Sequence, residues 1–237
     1  MITKALRRGS KFYDDTNIPW FQQLFARVER IPGSNRLFTR LISASDKEQF
    51  DDYLAEVIYT LLFIGVGFEV EIEPFGAKGP DLGVKRDGHQ AVVEITRLRK
   101  IFAGPPEFNI YTSELQEYGN PQRDIRKAFE KILSKFRQVG NDSSIVAIWN
   151  DDGDLEEVAV EMAVKCLRYS SAQNTLTVPD GLQFIIYASQ WVRLQSDYKQ
   201  IYCFPMRTPV RHHHAVWQQE LGSATVRHLI ERAIMLN

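Results

Sequence analysis

The sequence predicts an α/β fold: a three-stranded antiparallel meander between two helices, then further strands in a mixed sheet flanked by helices. Three observations predict it. Phe68, Val70 and Ile72 alternate strictly with Glu69, Glu71 and Glu73, the period-two pattern of a half-buried strand. Asp87-Gly88 separates two further strand-like runs, and this dipeptide supplies the positive φ angles that a type I′ hairpin turn needs. Further on, the apolar runs at 144–149 and 181–189 follow helical patterns, as strands buried on both faces do.

Composition bounds the rest. A chain of 237 residues, 44% hydrophobic and 25% charged, suits one soluble globular domain. Its formal net charge of −1 gives no global field to attract nucleic acid, so any such surface has to be local. Cys166 and Cys203 make no disulfide framework, and reduced thiols in a cytoplasmic protein are expected. The apolar run near residues 57–66 is too short to span a membrane. No apolar segment follows Lys4, Arg7 and Arg8, so neither a membrane partner nor a secretory leader is expected.

Residues 1–44 predict an N-terminal helical extension ahead of a domain over 45–237. Pro19 suits the first turn of a helix reaching about Ile31, which Ile31-Pro32-Gly33 ends. Ser34 is placed to cap a second short helix. Arg7, Arg8, Lys11, Arg27, Arg30, Arg36 and Arg40 offer phosphate contacts, but for any single one a solvated helix face is the preferred reading. Ser45 with Glu48 has the spacing of a capping box opening a helix over 46–64, and Gly65 and Gly67 end it. Phe50, Leu54, Val57, Ile58, Leu61 and Leu62 share one face of that helix. Glu56 lies off the stripe, and spacing alone makes it a solvated glutamate. The helix nevertheless turns apolar nearly all round after Glu56, which implies cover on both sides.

After the strands, a stretch with Pro105-Pro106 runs irregularly to about Gly119, either as a substrate-contacting loop or as a spacer. Ile125, Ala128, Phe129, Ile132, Leu133 and Phe136 predict a helix over 121–139 that Gly140 stops. Lys127, Lys131 and Lys135 recur every four residues on it, joined by Arg123, Arg126 and Arg137; such a face can touch phosphates or simply be solvated. Residues 150–154 read as a turn before a helix over 155–169, packed through Leu155, Val158, Met162, Cys166 and Leu167. An edge strand over 198–206 carries Pro205. His212, His213 and His214 read as surface or loop residues, because adjacent side chains do not easily converge on one ion. Ser223 caps a closing helix.

The hairpin carries the chemistry. With Asp87-Gly88 as the loop, Arg86 opposes His89, Val84 opposes Ala91, Leu82 opposes Val93, and Asp81 opposes Glu94. Opposed Cβ atoms stand about 4.5–5.5 Å apart, and like charges there repel. Two carboxylates so placed suit a divalent cation with oxygen ligands, with Gly83 clearing space beside them; a solvated sheet edge is the plainer alternative.

Pro80-Asp81, then Glu94-Ile95-Thr96, after a helix bearing Glu56, resemble the PD-(D/E)XK nuclease superfamily over residues 45–150. The order of helix, three strands, helix and strand is also the family's, so the resemblance implies a restriction-endonuclease-like core. It implies a hydrolase with Mg2+ or Mn2+ held by Asp81, Glu94, the carbonyl of Ile95 and, as an outer ligand, Glu56. The family has lysine where this chain has Thr96. The resemblance then points to Lys131, preferred, or Lys135 as the ammonium reaching the site from the following helix, with Lys78 a weaker candidate. Arg97, Arg99, Lys100 and Lys127 are the implied nucleic-acid contacts, with DNA ahead of RNA and a homodimer compatible with two-strand cutting. The alternatives are a non-catalytic member of the same fold that binds nucleic acid or assembles with partners, and a plain α/β protein matching by accident.

Overall fold

The computed structural model describes residues 1–76, 78–98, 121–139, 143–150, 157–189, 201–206 and 212–236. Four helices come first: α1 (Ile2–Gly9), α2 (Ile18–Val28), α3 (Ser34–Ser43) and α4 (Lys47–Val66). The meander is β1 (Glu69–Ile72), β2 (Leu82–Arg86) and β3 (His89–Leu98). Helix α5 (Pro121–Lys135), β4 (Ser144–Asn150), α6 (Glu157–Ala172) and β5 (Leu182–Ser189) alternate, and β6 (Ile201–Pro205), α7 (His212–Ser223) and α8 (Val226–Met235) complete the chain. The result is α/β, as expected.

All six strands form one open sheet in sequence order. β1, β2 and β3 pair antiparallel, β3, β4 and β5 pair parallel, and β6 returns antiparallel. The predicted hairpin register is the observed one, with Arg86 opposite His89 and Leu82 opposite Val93. Asp87 and Gly88 both adopt positive φ, 53° and 76°, as the two-residue turn demands.

Side chains on β4 alternate between two cores. Ile145, Ala147 and Trp149 join the layer built from α1–α4, α7 and α8; Val146 and Ile148 join the layer of α5 and α6. The parallel strands are therefore covered on both faces, which explains their continuous apolar runs. Phe21, Phe25, Leu37 and Phe38 of the N-terminal helices belong to the same continuous core as α4 and the sheet. α4 is buried almost all round, so its polar groups are satisfied inside: Tyr59 donates to the Ile148 carbonyl at 2.7 Å and Thr60 to the Glu56 carbonyl at 2.8 Å. Gly67, at φ 95°, ends α4 with a bond from its own N–H to Ile64, and Phe68 N–H bonds Phe63.

Both sheet margins are occupied. At the β1 margin, Ile72 N–H donates to the Pro32 carbonyl at 2.9 Å. Gly33 makes that approach possible: it sits at φ 84°, and a Cβ there would lie 1.9 Å from the Ile72 carbonyl oxygen. At the β6 margin, Gln218 donates to the Cys203 carbonyl at 2.9 Å, and Pro205 lacks an N–H to offer.

Several local expectations are corrected. Asp46, not Ser45, caps α4 by accepting from Gln49 N–H, and Gln49 accepts from Ser45 N–H, so the box sits one residue later. Gly33 rather than Ser34 is the N-cap of α3, and Thr225 rather than Ser223 caps α8. α6 buries Ala159, Val160, Ala163, Val164 and Leu167 and exposes Val158, Met162 and Cys166, because the small residues face the sheet. His212, His213 and His214 all lie in α7 rather than a loop, and of the three His212 is exposed. His214 is fully buried and bonded to Ser143 Oγ at 3.0 Å, and His213 stacks on His89 with centroids 3.7 Å apart. The turn over 151–154, Leu155, Gly140 and the stretch around Pro105-Pro106 lie outside the described residues.

Candidate active site

The site is assembled where β2 begins, midway along β3. Asp81 directly precedes β2, one residue before the Leu82–Val93 pair, so the ladder sets it opposite Glu94. Asp81 Oδ2 accepts from the Ile95 N–H at 2.7 Å. An extended residue sends its N–H and C=O to the same edge of the strand. The Ile95 carbonyl therefore faces the same gap beyond the end of β2. Gly83 does not leave the gap empty: a Cβ there would come within 3.2 Å of the Pro74 ring, which fills the space.

Glu94 is almost wholly buried, at 1% exposure. Its Oε2 pairs with Lys135 Nζ at 3.3 Å, and its Oε1 has no hydrogen-bond partner. Burial pushes the Glu94 carboxyl up to about 7, and Asp81 pushes the same way against Lys135. Asp81 is also raised, by burial first, while the Ile95 N–H, Lys135 and Arg40 pull it back. Burial thus raises both carboxyls and Asp81 adds repulsion on Glu94, a repulsion that an added cation would relieve.

Glu56, expected from spacing to be solvated, is buried and faces Arg40 of α3. Arg40 donates from Nη1 to Glu56 Oε1 at 2.9 Å and from Nη2 to Oε2 at 2.5 Å. Burial, then Asp81, raise Glu56 to about 8, and Arg40 opposes them. The same Nη2 reaches Glu73 Oε1 at 2.9 Å. Glu73 was not singled out by the sequence, where the alternation of the first strand sends it to solvent. It lies one residue beyond β1 at φ 48°, turned inward to 5% exposure, with Oε2 lacking a hydrogen-bond partner. Glu73 N–H bonds the Asp81 carbonyl at 2.8 Å, and Arg36 donates to the Glu73 carbonyl at 2.8 Å. Arg40 is therefore tied into the cluster, while Arg36 reaches Glu73 from an exposed side chain on the helix face.

The remaining candidates divide. Thr96 is buried on β3. Lys135 makes an ion pair to Glu94; Lys127 and Lys131 are half-buried on the same helix and also have partners. Lys78 is exposed. Arg97 is not a surface contact: at 5% exposure its Nε pairs with Asp52 at 2.9 Å, its Nη1 with Asp51 at 3.4 Å, and its Nη2 with Glu48. That network anchors the start of α4 to β3. Arg99 and Lys100 lie outside the described residues.

Glu94 Oε1, buried without a hydrogen-bond partner, fits a cation supplied from outside, whereas Glu73 Oε2 lies 3.9 Å from Arg36 Nη1. Among the described residues no three His, Cys, Asp or Glu side chains are gathered tightly enough to enclose one by themselves, so water or backbone oxygen would complete any shell. Comparison with protein-family models, with curated proteins and with solved structures gave no match to this chain.

Proposed function

We propose that this chain is a metal-dependent phosphodiesterase of the PD-(D/E)XK kind acting on DNA. The observation that carries the reading is Asp81 and Glu94 facing one gap with the Lys135 ammonium on Glu94. The order α4, β1–β3, α5, β4, with its antiparallel meander and parallel crossover, supports a restriction-endonuclease-like core.

In this reading Asp81, Glu94 and the Ile95 carbonyl hold one Mg2+ or Mn2+. When bound, the ion supplies Lewis-acid polarisation of a phosphoryl oxygen and a more acidic water. The Ile95 N–H fixes the aim of Asp81. Lys135 takes the place of the lysine that Thr96 lacks, sharing its charge between Glu94 and the negative charge that builds on the phosphoryl group. Thr96 can hold a water but supplies no charge. Lys127 and Lys131 on α5 offer phosphate contacts that position the backbone without reading sequence.

The test is cleavage of plasmid DNA with Mg2+ or Mn2+. The expected result is nicking that EDTA and Asp81→Asn abolish. A folded chain that cuts neither DNA nor RNA with any divalent ion removes the proposal.

One observation favours a second reading, a non-catalytic nucleic-acid-binding or assembly subunit. Arg40 already neutralises Glu56 and touches Glu73, and Thr96 stands where the family has lysine. Salt-dependent DNA binding that survives Glu94→Gln, with no cation taken up, selects this reading.

A further inference from the structure

The acidic cluster has a deeper half that the proposed reaction does not use. Glu56 comes from α4, Glu73 from the turn after β1, and Arg40 from α3, three elements brought together by the dry packing of the N-terminal helices. Both guanidinium Nη atoms are committed: Nη1 to Glu56, Nη2 to Glu56 and Glu73 at 2.5 and 2.9 Å. Glu56 and Glu73 are each about one-twentieth exposed, and Glu73 Oε2 is buried without a hydrogen-bond partner. A planar guanidinium is always charged, and it bridges carboxylates from opposite sides as a compact metal ion does.

Formal charge is consistent with this. The carboxylates of Glu56, Glu73, Asp81 and Glu94 face the cations of Arg40 and Lys135. With all four carboxylates ionised the excess is two negative charges, which a single Mg2+ or Mn2+ ion would balance. Arg36 adds only a 3.9 Å contact from a side chain more than half exposed, where water screens it.

We propose that Arg40 is the built-in second cation of this centre: its guanidinium bridges Glu56 and Glu73 in place of a second divalent ion, so the site accepts one such ion, at Asp81 and Glu94. The inference rests on the reading of Asp81 and Glu94 as cation ligands. Arg40 is then a positioning residue, cutting the formal charge of Glu56 and Glu73 from two negatives to one without touching substrate. The N-terminal helices, by delivering it, set how many ions the centre takes.

The experiment counts Mn2+ bound to the full chain by calorimetry and by electron paramagnetic resonance. Wild type is expected to bind one ion, Arg40→Gln two, and Arg40→Gln with Glu56→Gln one again, because the deeper site has then lost a ligand. Arg40→Gln leaves two buried carboxylates uncompensated, so circular dichroism follows its folding with and without Mn2+. Folding that requires Mn2+, with two ions held, supports the proposal, since the ion has replaced the guanidinium. Arg40→Gln that folds and binds one ion with wild-type affinity overturns it, as does a variant that stays unfolded in Mn2+. Wild type binding two ions also overturns it while leaving Asp81 and Glu94 as ligands. Wild type binding none removes the underlying metal reading as well.

Discussion

Lys135 Nζ stands 3.3 Å from Glu94 Oε2, although one belongs to the last turn of a helix and the other to the middle of a strand. The contact exists because Ala128 and Ile132 seat α5 on the sheet, which aims the C-terminal turn at β3. It brings an ammonium to the most deeply buried carboxylate of the cluster, at 1% exposure.

If that ammonium serves the reaction, Lys135→Ala lowers kcat about 10²–10³-fold, the usual loss for one electrostatic donor. Lys131→Ala is expected to lower it less than about ten-fold, the effect of a phosphate contact alone. Single-turnover cleavage of an oligonucleotide compares the two. Equal losses would remove the distinction between them.

Stability should fall as pH rises. Glu94 carries a folded-state value of about 7 against an ordinary 4.5. The folded chain therefore binds more protons than the unfolded one between those values. Stability is highest below about pH 4.5 as far as this group is concerned, declines through the window, and levels above about 7, a total loss on the order of 3 kcal/mol. Urea midpoints measured across the range check it, and Glu94→Gln is expected to remove this group's share, leaving the decline that Glu56, raised to about 8, contributes.

If a cation binds between Asp81 and Glu94 as proposed, it offsets that loss. Saturating Mn2+ at about a hundred times its dissociation constant adds about 2.7 kcal/mol. Thermal unfolding at pH 8 is expected to shift upward in Mn2+ for wild type and to stay unmoved for Asp81→Asn.

Arg97→Ala is expected to cost about 1–3 kcal/mol, because it removes a buried cation from Asp51 and Asp52, although Asp51 keeps Lys47 and Tyr13 as partners. Urea denaturation measures this. The salt dependence of DNA binding is expected to stay that of wild type, since Arg97 is turned inward.

Gly33→Ala forces a Cβ against the Ile72 carbonyl at φ 84°, so the α2–α3 turn must leave β1. The expected loss is about 3 kcal/mol or more. Because the turn after β1 holds Glu73, Mn2+ affinity is expected to weaken in the same variant, which calorimetry reads.

Much of this was legible in the residues. Asp87-Gly88 fixed the hairpin, and counting outward from it gave the observed register from Arg86–His89 to Leu82–Val93, one residue short of Asp81 and Glu94. Glu73 was missed because strict alternation describes only residues that stay in the strand; a positive φ one residue later reverses the side chain. Glu56 looked solvated because helical spacing reports one element and not the α3 arginine lying across it. The α6 stripe was misread by one face because Ala and Val, though smaller than Met, let the helix approach the sheet more closely. Arg97 looked like a phosphate contact because charge in a sequence does not show the partner that folding brings to it.

The two blunted sheet margins bear on handling the protein as well as on its fold. An exposed strand with open N–H and C=O groups recruits its own kind and seeds aggregates. Here Pro32 takes up the Ile72 N–H on one side, and Gln218 takes up the Cys203 carbonyl on the other, where Pro205 has nothing to donate. Cutting away the N-terminal helices would uncover β1, and the shortened chain is expected to precipitate during concentration where the full chain stays monodisperse in light scattering.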